Sequence, residues 1–105
     1  MTAANHTDLP RWTYGAVPAA TRAAVYLRDG FRCVYCLRAG DLSVDHIVPQ
    51  SVFVDHRASN LVACCMECNG TRGVIDCDLF CMHVSRRTLE SWERIHGRVL
   101  AAIGG

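Results

Sequence analysis

The chain has 105 residues, which is enough for one small domain with a modest core but too few for separate substrate and cofactor lobes. Half of the residues are hydrophobic and 20% are charged, and this globular composition excludes a disordered or low-complexity protein. The formal net charge of +1 excludes a strongly basic protein that coats nucleic acid, so any phosphate binding must be local.

The N-terminal part of the sequence predicts an arm followed by a helix. Residues 1–17 show no periodicity and predict an arm, whose candidate anchoring or contact groups are Arg11, Trp12 and Tyr14. Over Pro18–Asp29, proline stands at a helix start and Gly30 at the stop. The predicted helix carries one apolar stripe, which is formed by Ala20, Ala23, Ala24 and Leu27.

The middle of the sequence predicts a β-hairpin, a loop and a short helix or turn. The runs FRCVYC at 31–36 and DLSVDHI at 41–47 are rich in β-forming residues and are separated by the turn signal LRAG, so an antiparallel hairpin is expected. Residues 47–59 keep no period and contain Pro49, which indicates a loop. The segment 60–73 ends in glycines and predicts a short helix or turn.

Two further helices are expected toward the C-terminus. The first is a short helix whose core face is formed by Val74, Cys77, Cys81 and Val84. The second is an amphipathic helix over residues 86–103, whose apolar face is formed by Leu89, Trp92, Ile95, Val99 and Ile103. A solvated surface, rather than a DNA-facing patch, is expected for Arg86, Arg87, Arg94 and Arg98.

The seven cysteines of the chain indicate a metal site. The N-terminus shows no signal peptide, and no apolar run approaches the ~18 residues that span a bilayer, so a cytoplasmic protein without a membrane partner is expected. An odd number of cysteines in that reducing compartment favours metal ligation over disulfides. Two C-x-x-C pairs, Cys33 with Cys36 and Cys65 with Cys68, predict one closed structural zinc site. The alternative is four small buried hydrophobic side chains.

Polar residues follow one another in a fixed order between and after the two cysteine pairs. Asp45 and His46 lie in LSVDHIVPQS at 42–51, and Asn60, Asn69 and Arg72 lie in NLVACCMECNGTRG at 60–73. With RDGFRCVYC at 28–36, this order resembles the HNH endonucleases of the ββα-metal class.

The resemblance implies a fold and a single domain. The fold is α+β, with a small ββα-metal, treble-clef-like core at about 28–73, a structural zinc site with two cysteine knuckles, and flanking helices. The domain would cover residues 18–105.

Carried over residue by residue, the resemblance also implies roles in catalysis. His46 would be the general base, Asn60 would support it, and Asp45 with Asn69 would hold a catalytic divalent metal. The family name expects histidine where this chain has Asn69, and an amide oxygen suits Mg²⁺ or Mn²⁺ better than imidazole does, with Ni²⁺ as a third candidate.

Three more residues are candidate DNA contacts. Arg72 stands where the family commonly has lysine. His56 completes a second Val-Asp-His triplet ten residues after the first, and Arg57 follows it. For His56, a solvated loop position is the alternative to a second catalytic role. Cys64, Cys77 and Cys81 are expected to be buried thiols rather than metal ligands.

Hydrolysis of a phosphodiester needs an activated water, charge relief on the phosphoryl oxygens and a stabilised leaving oxygen. Histidine, whose ordinary pKa is about 6.5, suits the first task. Adjacent side chains of a strand point to opposite faces, so Asp45 and His46 can serve one site only if the strand bends or ends there. The expected function is a metal-dependent endonuclease that hydrolyses DNA phosphodiesters, and the resemblance implies 5′-phosphate and 3′-hydroxyl ends.

The competing interpretation is a non-catalytic zinc module that binds nucleic acid or protein. The expected partner of the endonuclease is DNA. A homodimer, or a component of phage DNA packaging, is a further hypothesis that comes from the resemblance to small HNH proteins of phages and mobile elements.

Overall fold

The computed structural model describes residues 17–104. The candidate contact groups of the predicted arm, Arg11, Trp12 and Tyr14, lie outside these residues. The elements in chain order are α1 (Ala19–Arg28), β1 (Leu42–His46), β2 (Leu61–Cys65), α2 (Met66–Arg72), α3 (Cys77–Ser85) and α4 (Trp92–Gly104), and a 3₁₀ turn at Ala58–Asn60 precedes β2. The predicted α+β class is confirmed, and β1, β2 and α2 form a ββα unit.

The two strands pair antiparallel, with Leu42 opposite Cys65 and His46 opposite Leu61. The predicted hairpin is therefore wrong, because β1 pairs with residues 61–65 and not with 31–36. The segment 31–36 is instead a turn, in which Leu37 N donates to Cys33 O at 2.8 Å and only an isolated bridge joins Arg32 to Ala39. Such a turn brings two cysteines to one side, which an extended strand does not do.

The outer edge of β2 is covered by other parts of the chain, although the sheet has only two strands. Val34 N donates to Ala63 O at 2.9 Å, and Ala63 N donates to the carboxylate of Asp29 at 2.8 Å. Arg28 at the end of α1 donates to Leu61 O at 2.6 Å. These bonds satisfy backbone groups that an open edge would leave unpaired.

Helix α1 packs on the sheet with a face other than the predicted one. Val25 is fully buried against Val44 and Leu61, and Tyr26 OH donates to Leu42 O at 3.1 Å. The predicted apolar stripe faces solvent, with Leu27 72% exposed. Valine buries more apolar area than alanine, so the packing selects the face that carries Val25.

Helices α3 and α4 cover the main core on the other side of the sheet. The core residues that they contribute are Cys77, Phe80, Cys81, Val84, Ile95 and Val99. Val74 is exposed and lies outside the predicted core face. None of the helices within residues 17–104 is long and apolar enough to cross a membrane.

Helix α4 begins at Trp92, six residues later than predicted. Ser91 caps it, because its hydroxyl accepts a hydrogen bond from Arg94 N at 3.3 Å. Leu89 lies before the helix and is fully exposed, so it does not belong to the apolar face.

Arg98 of α4 is not a solvated surface residue, contrary to the expectation. It donates to Val34 O at 2.6 Å and to Tyr35 O at 3.3 Å, and it forms an ion pair with Glu90. It therefore attaches α4 to the turn at residues 33–36.

We expect Ile95→Ala to lower the free energy of unfolding by about 2–5 kcal/mol, because it leaves a cavity in the main core. Leu100→Ala, on an exposed position of the same helix, should change it by less than about 0.5 kcal/mol. Urea unfolding monitored by circular dichroism measures both. Equal effects of the two variants would contradict the packing of α4.

Candidate functional site

The two C-x-x-C pairs meet in one cluster. The Sγ atoms of Cys33, Cys36, Cys65 and Cys68 all lie within 4.8 Å of one another. The Sγ atoms of Cys36 and Cys65 are 3.7 Å apart, which agrees with the separation of roughly 3.8 Å expected for two thiolates at about 2.3 Å from a tetrahedral zinc ion. The cluster could therefore hold zinc, as predicted.

The cluster of four cysteines, called the zinc cluster because it could hold that ion, joins two parts of the chain at the start of α2. Cys33 and Cys36 come from the turn after α1, while Cys65 ends β2 and Cys68 lies in the first turn of α2. Cys68 N donates to the sulfur of Cys65 at 3.4 Å, an interaction that stabilises negative charge on that sulfur. A bound ion would fix the turn to the corner between β2 and α2.

The remaining cysteines are buried thiols within the described residues. Cys64 donates to Cys65 O at 3.4 Å, and Cys77 and Cys81 lie on the core face of α3. No second cluster of three or more histidine, cysteine or acidic ligands occurs in residues 17–104.

We expect Cys65→Ser to lose zinc, because serine is a poor zinc ligand and only three of the four thiolates of the cluster would remain. Cys64→Ala removes a neighbouring thiol outside the cluster and should retain about one zinc ion per chain. Elemental analysis of both purified variants measures this. Zinc retained in Cys65→Ser, or lost from Cys64→Ala, would contradict the ligand assignment.

A groove of about 310 Å³ lies along β1 and is referred to here as the β1 groove. Its walls come from residues 43–46 of β1, residues 49–51 of the following loop, Asn69 of α2 and Arg22 of α1. The structure thus brings Asp45, His46 and Asn69 to one cavity, where the sequence predicts the catalytic base and the metal ligands.

Arg72 is buried beside this groove, with only 1% of its surface exposed. Its guanidinium forms an ion pair with Asp45 and donates to His46 O at 3.0 Å and to Ile47 O at 2.8 Å. Arg72 therefore has no surface for DNA, and the expectation that it contacts phosphate is wrong. Arg72 is buried in the interior because its side chain extends from α2 to the end of β1.

The carboxylate of Asp45 is held by one of its two oxygens. Tyr35 OH donates to Oδ2 at 2.8 Å, and Arg72 binds the same oxygen. Burial raises the pKa of Asp45, and the positive charge of Arg72 opposes that effect. Oδ1 receives no hydrogen bond from residues 17–104, so it is an acceptor at the groove wall.

The amide of Asn69 leaves its oxygen available as well. Its nitrogen Nδ2 donates to Ser43 Oγ at 2.8 Å, and Ser43 in turn donates to Cys64 O at 3.0 Å. These contacts orient the amide. Its oxygen Oδ1 accepts no hydrogen bond within the described part of the chain. Asp45 and Asn69 together present two oxygen acceptors, the ligand type that hard divalent cations prefer.

Asn60 holds the loop that follows β1. Its Oδ1 accepts from Val48 N at 2.9 Å, and its Nδ2 donates to Asp55 O at 3.0 Å. The side chain is buried and does not line the groove. Any support that it gives to His46 acts through the position of the loop.

The imidazoles of His46 and His56 form a hydrogen-bonded pair, with Nε2 of His46 2.9 Å from Nδ1 of His56. Burial, followed by the nearby His56, lowers the pKa of His46 to about 4, so the ring is neutral at neutral pH. Nδ1 of His46 has no hydrogen-bond partner within residues 17–104 and is the nitrogen available to a water molecule.

Residues 33–74 match the family model of the HNH endonucleases. The resemblance predicted from the sequence is thereby confirmed over this segment, which spans the zinc cluster, β1, β2 and α2. No curated protein and no solved structure matches the chain. Helices α1, α3 and α4 lie outside the HNH segment.

The other two candidate DNA contacts of the HNH segment differ in exposure. One ring nitrogen of His56 is bound to His46, and the other, Nε2, is buried without a partner in the described residues. A contact of this half-buried side chain with DNA stays a prediction. Arg57 is exposed and forms an ion pair with Asp55 at 2.8 Å. Its contact with DNA stays a prediction.

Arg22 also lines the groove, although no sequence pattern predicted it as a site residue. It lies on α1, outside the HNH segment, and the predicted stripe assigned the opposite face of that helix to the interior. Its position at the groove depends on how α1 packs on the sheet, which the spacing of apolar residues alone does not reveal.

We expect His46 to remain neutral from pH 5 to pH 8, because its pKa lies near 4. In His56→Ala, the opened space admits water and the pKa should rise toward the ordinary 6.5. Nuclear magnetic resonance titration of the His46 ring protons in the zinc-bound protein measures both. A midpoint near 6.5 in the wild-type protein would contradict the buried histidine pair.

Proposed function

We propose that the protein is a metal-dependent endonuclease that hydrolyses phosphodiester bonds of DNA. One observation carries the proposal: His46, Asp45 and Asn69 line a single groove, and each has a ring nitrogen or an oxygen without a hydrogen-bond partner in residues 17–104. The match of the HNH segment supports a nuclease-type function.

The two free oxygens of the groove suit a hard cation. Mg²⁺ usually keeps several water ligands and binds through one or two protein oxygens, so Asp45 Oδ1 and Asn69 Oδ1 are a sufficient protein contribution. The absence of an imidazole from this pair favours Mg²⁺ or Mn²⁺ over Ni²⁺. When bound, the ion would relieve negative charge on the phosphoryl and leaving oxygens.

His46 is suited to accept the proton of the attacking water. If its Nε2 carries the hydrogen and donates to His56 Nδ1, then Nδ1 of His46 has a free lone pair. A pKa near 4 makes the ring a weak base, and the negative charge of a bound phosphate would raise that pKa toward a more effective range. In that tautomer, the hydrogen bond to His56 holds the ring of His46 with its base nitrogen free.

Arg72 and Asn60 support this arrangement without touching the substrate. The ion pair with Arg72 keeps Asp45 ionised and turned toward α2. Asn60 holds the loop so that His56 meets His46. Both roles are structural, and the chemistry would rest on His46 and the metal ligands.

The expected product is a nick. The described residues contain one such groove, and one groove cuts one strand. A double-strand break would need a second copy of the chain or a second encounter, and the family resemblance implies 5′-phosphate and 3′-hydroxyl ends.

The experiment is cleavage of supercoiled plasmid by the zinc-loaded protein with Mg²⁺ or Mn²⁺. We expect His46→Ala to lower the nicking rate by at least about 10²-fold, because general base catalysis contributes 10²–10⁴-fold. His83→Ala, an exposed histidine on α3 away from the groove, is the matched control and should nick at the wild-type rate. Zinc content and thermal midpoint of each variant exclude loss of the fold.

Two outcomes would overturn the proposal. Wild-type protein that is folded and zinc-bound but does not cleave in any divalent metal would favour the non-catalytic binding module. Equal nicking by His46→Ala and the wild type would reveal a contaminating nuclease or another base.

A further inference from the structure

Arg22 differs from most other arginines of the described chain in having no acidic partner within residues 17–104. Arg28, Arg38, Arg57, Arg72, Arg94 and Arg98 each form an ion pair. The only hydrogen bond of the Arg22 side chain within residues 17–104 is from Nη1 to Tyr26 OH, at 3.3 Å. Most of its donor capacity is therefore unused, since a guanidinium carries five N–H groups.

The side chain is nevertheless held in place at the β1 groove. The Tyr26 hydroxyl that accepts the hydrogen bond from Arg22 donates in turn to Leu42 O at 3.1 Å. Arg22 is thereby linked through Tyr26 to the start of β1. The adjacent turn of α1 is anchored by Val25, which is fully buried. Arg22 is half-buried, so part of the cost of ordering its long side chain is already met before a ligand binds.

The charges around the groove leave a net positive charge at Arg22. The charge of Asp45 is compensated by Arg72 behind it. Asn69 carries no charge. Arg22 is thus the arginine of the groove whose charge no acidic residue of 17–104 compensates.

We propose that Arg22 binds the scissile phosphate of the DNA substrate at the β1 groove. The proposal rests on the proposed function, and it assigns a substrate-binding role to a residue outside the HNH segment. A planar guanidinium with free donors matches two non-bridging oxygens of a phosphodiester, and its charge opposes the negative charge that grows in the transition state.

Replacing Arg22 should leave the fold intact, because no buried acidic side chain of residues 17–104 would lose its counter-ion. We expect Arg22→Gln to lower kcat/KM for plasmid nicking by about 10²-fold. Arg22→Lys keeps the charge but not the fork and should recover part of that loss. Arg86→Gln removes the same charge from an exposed position off the groove and is the matched control.

Binding is measured separately in the His46→Ala background, by fluorescence anisotropy of a short DNA duplex over a range of salt concentrations. Adding Arg22→Gln should reduce the slope of log K against log salt by about 0.9, which corresponds to one lost phosphate contact. Adding Arg22→Lys should leave the slope unchanged. A purely structural role for Arg22 would not produce this charge-dependent pattern.

Tyr26→Phe provides a second test that keeps the charge. It removes the hydroxyl that positions Arg22, so we expect a severalfold lower kcat/KM with an unchanged salt slope. Zinc content and thermal midpoint accompany every variant.

The outcomes separate this proposal from the proposed function. If the wild type nicks DNA and Arg22→Gln behaves like Arg86→Gln in both rate and salt slope, Arg22 does not bind the phosphate. If the wild type does not nick DNA at all, the proposed function fails, and the salt slope alone still decides whether Arg22 contacts a phosphate.

Discussion

The buried ion pair between Asp45 and Arg72 is the interaction on which the geometry of the site depends. Burying two charges costs desolvation, and the cost is offset here because Tyr35 donates to the carboxylate of Asp45 and three backbone carbonyls accept hydrogen bonds from Arg72. The pair joins the end of β1 to the end of α2. Since Asn69 lies one turn before Arg72, the same contact also fixes the amide relative to the carboxylate.

Helix α2 shows why a small domain needs such constraints. It has seven residues, too few for a helix that is stable by its own hydrogen bonds. Cys65 and Cys68 of the four-cysteine cluster lie at its beginning, where a bound zinc ion would hold it, and the ion pair holds its end through Arg72. A metal ion in that cluster and one charge pair would thus stabilise this helix in the way that a larger hydrophobic core does in a bigger protein.

The sequence predicted those features that depend on residue type and order. The two cysteine pairs and the series Asp45, His46, Asn69 were sufficient to predict the zinc cluster and the three residues that meet in the β1 groove. Strand β2 was missed because all five of its residues are buried, so the alternation that marks a strand is absent. The face of α1 was misassigned because four alanine and leucine positions outnumber one valine in the pattern, while packing on the sheet favours the valine.

The partners of the site residues could not be predicted, since they depend on contacts between distant segments. Arg72 reaches the interior because α2 crosses the end of β1, and His56 meets His46 because Asn60 folds the loop back. In both cases a residue expected to face DNA is used to position a groove residue. Exposure, which decides between these roles, follows from tertiary structure and not from the motif.

With these contacts, the groove residues of the HNH segment and Arg72 beside them carry no net charge. Asp45 and Arg72 compensate each other, His46 is neutral, and Asn69 is uncharged, so the segment that would carry the chemistry offers a phosphate no net attraction of its own. The net charge of the chain is too small for long-range steering to supply it. A phosphate must therefore be attracted by a bound cation and by charges that neighbouring elements bring to the groove. Helix α1 brings one in Arg22, so in the proposed nuclease a flanking helix would change the affinity for a phosphate without changing the groups proposed to carry out the hydrolysis.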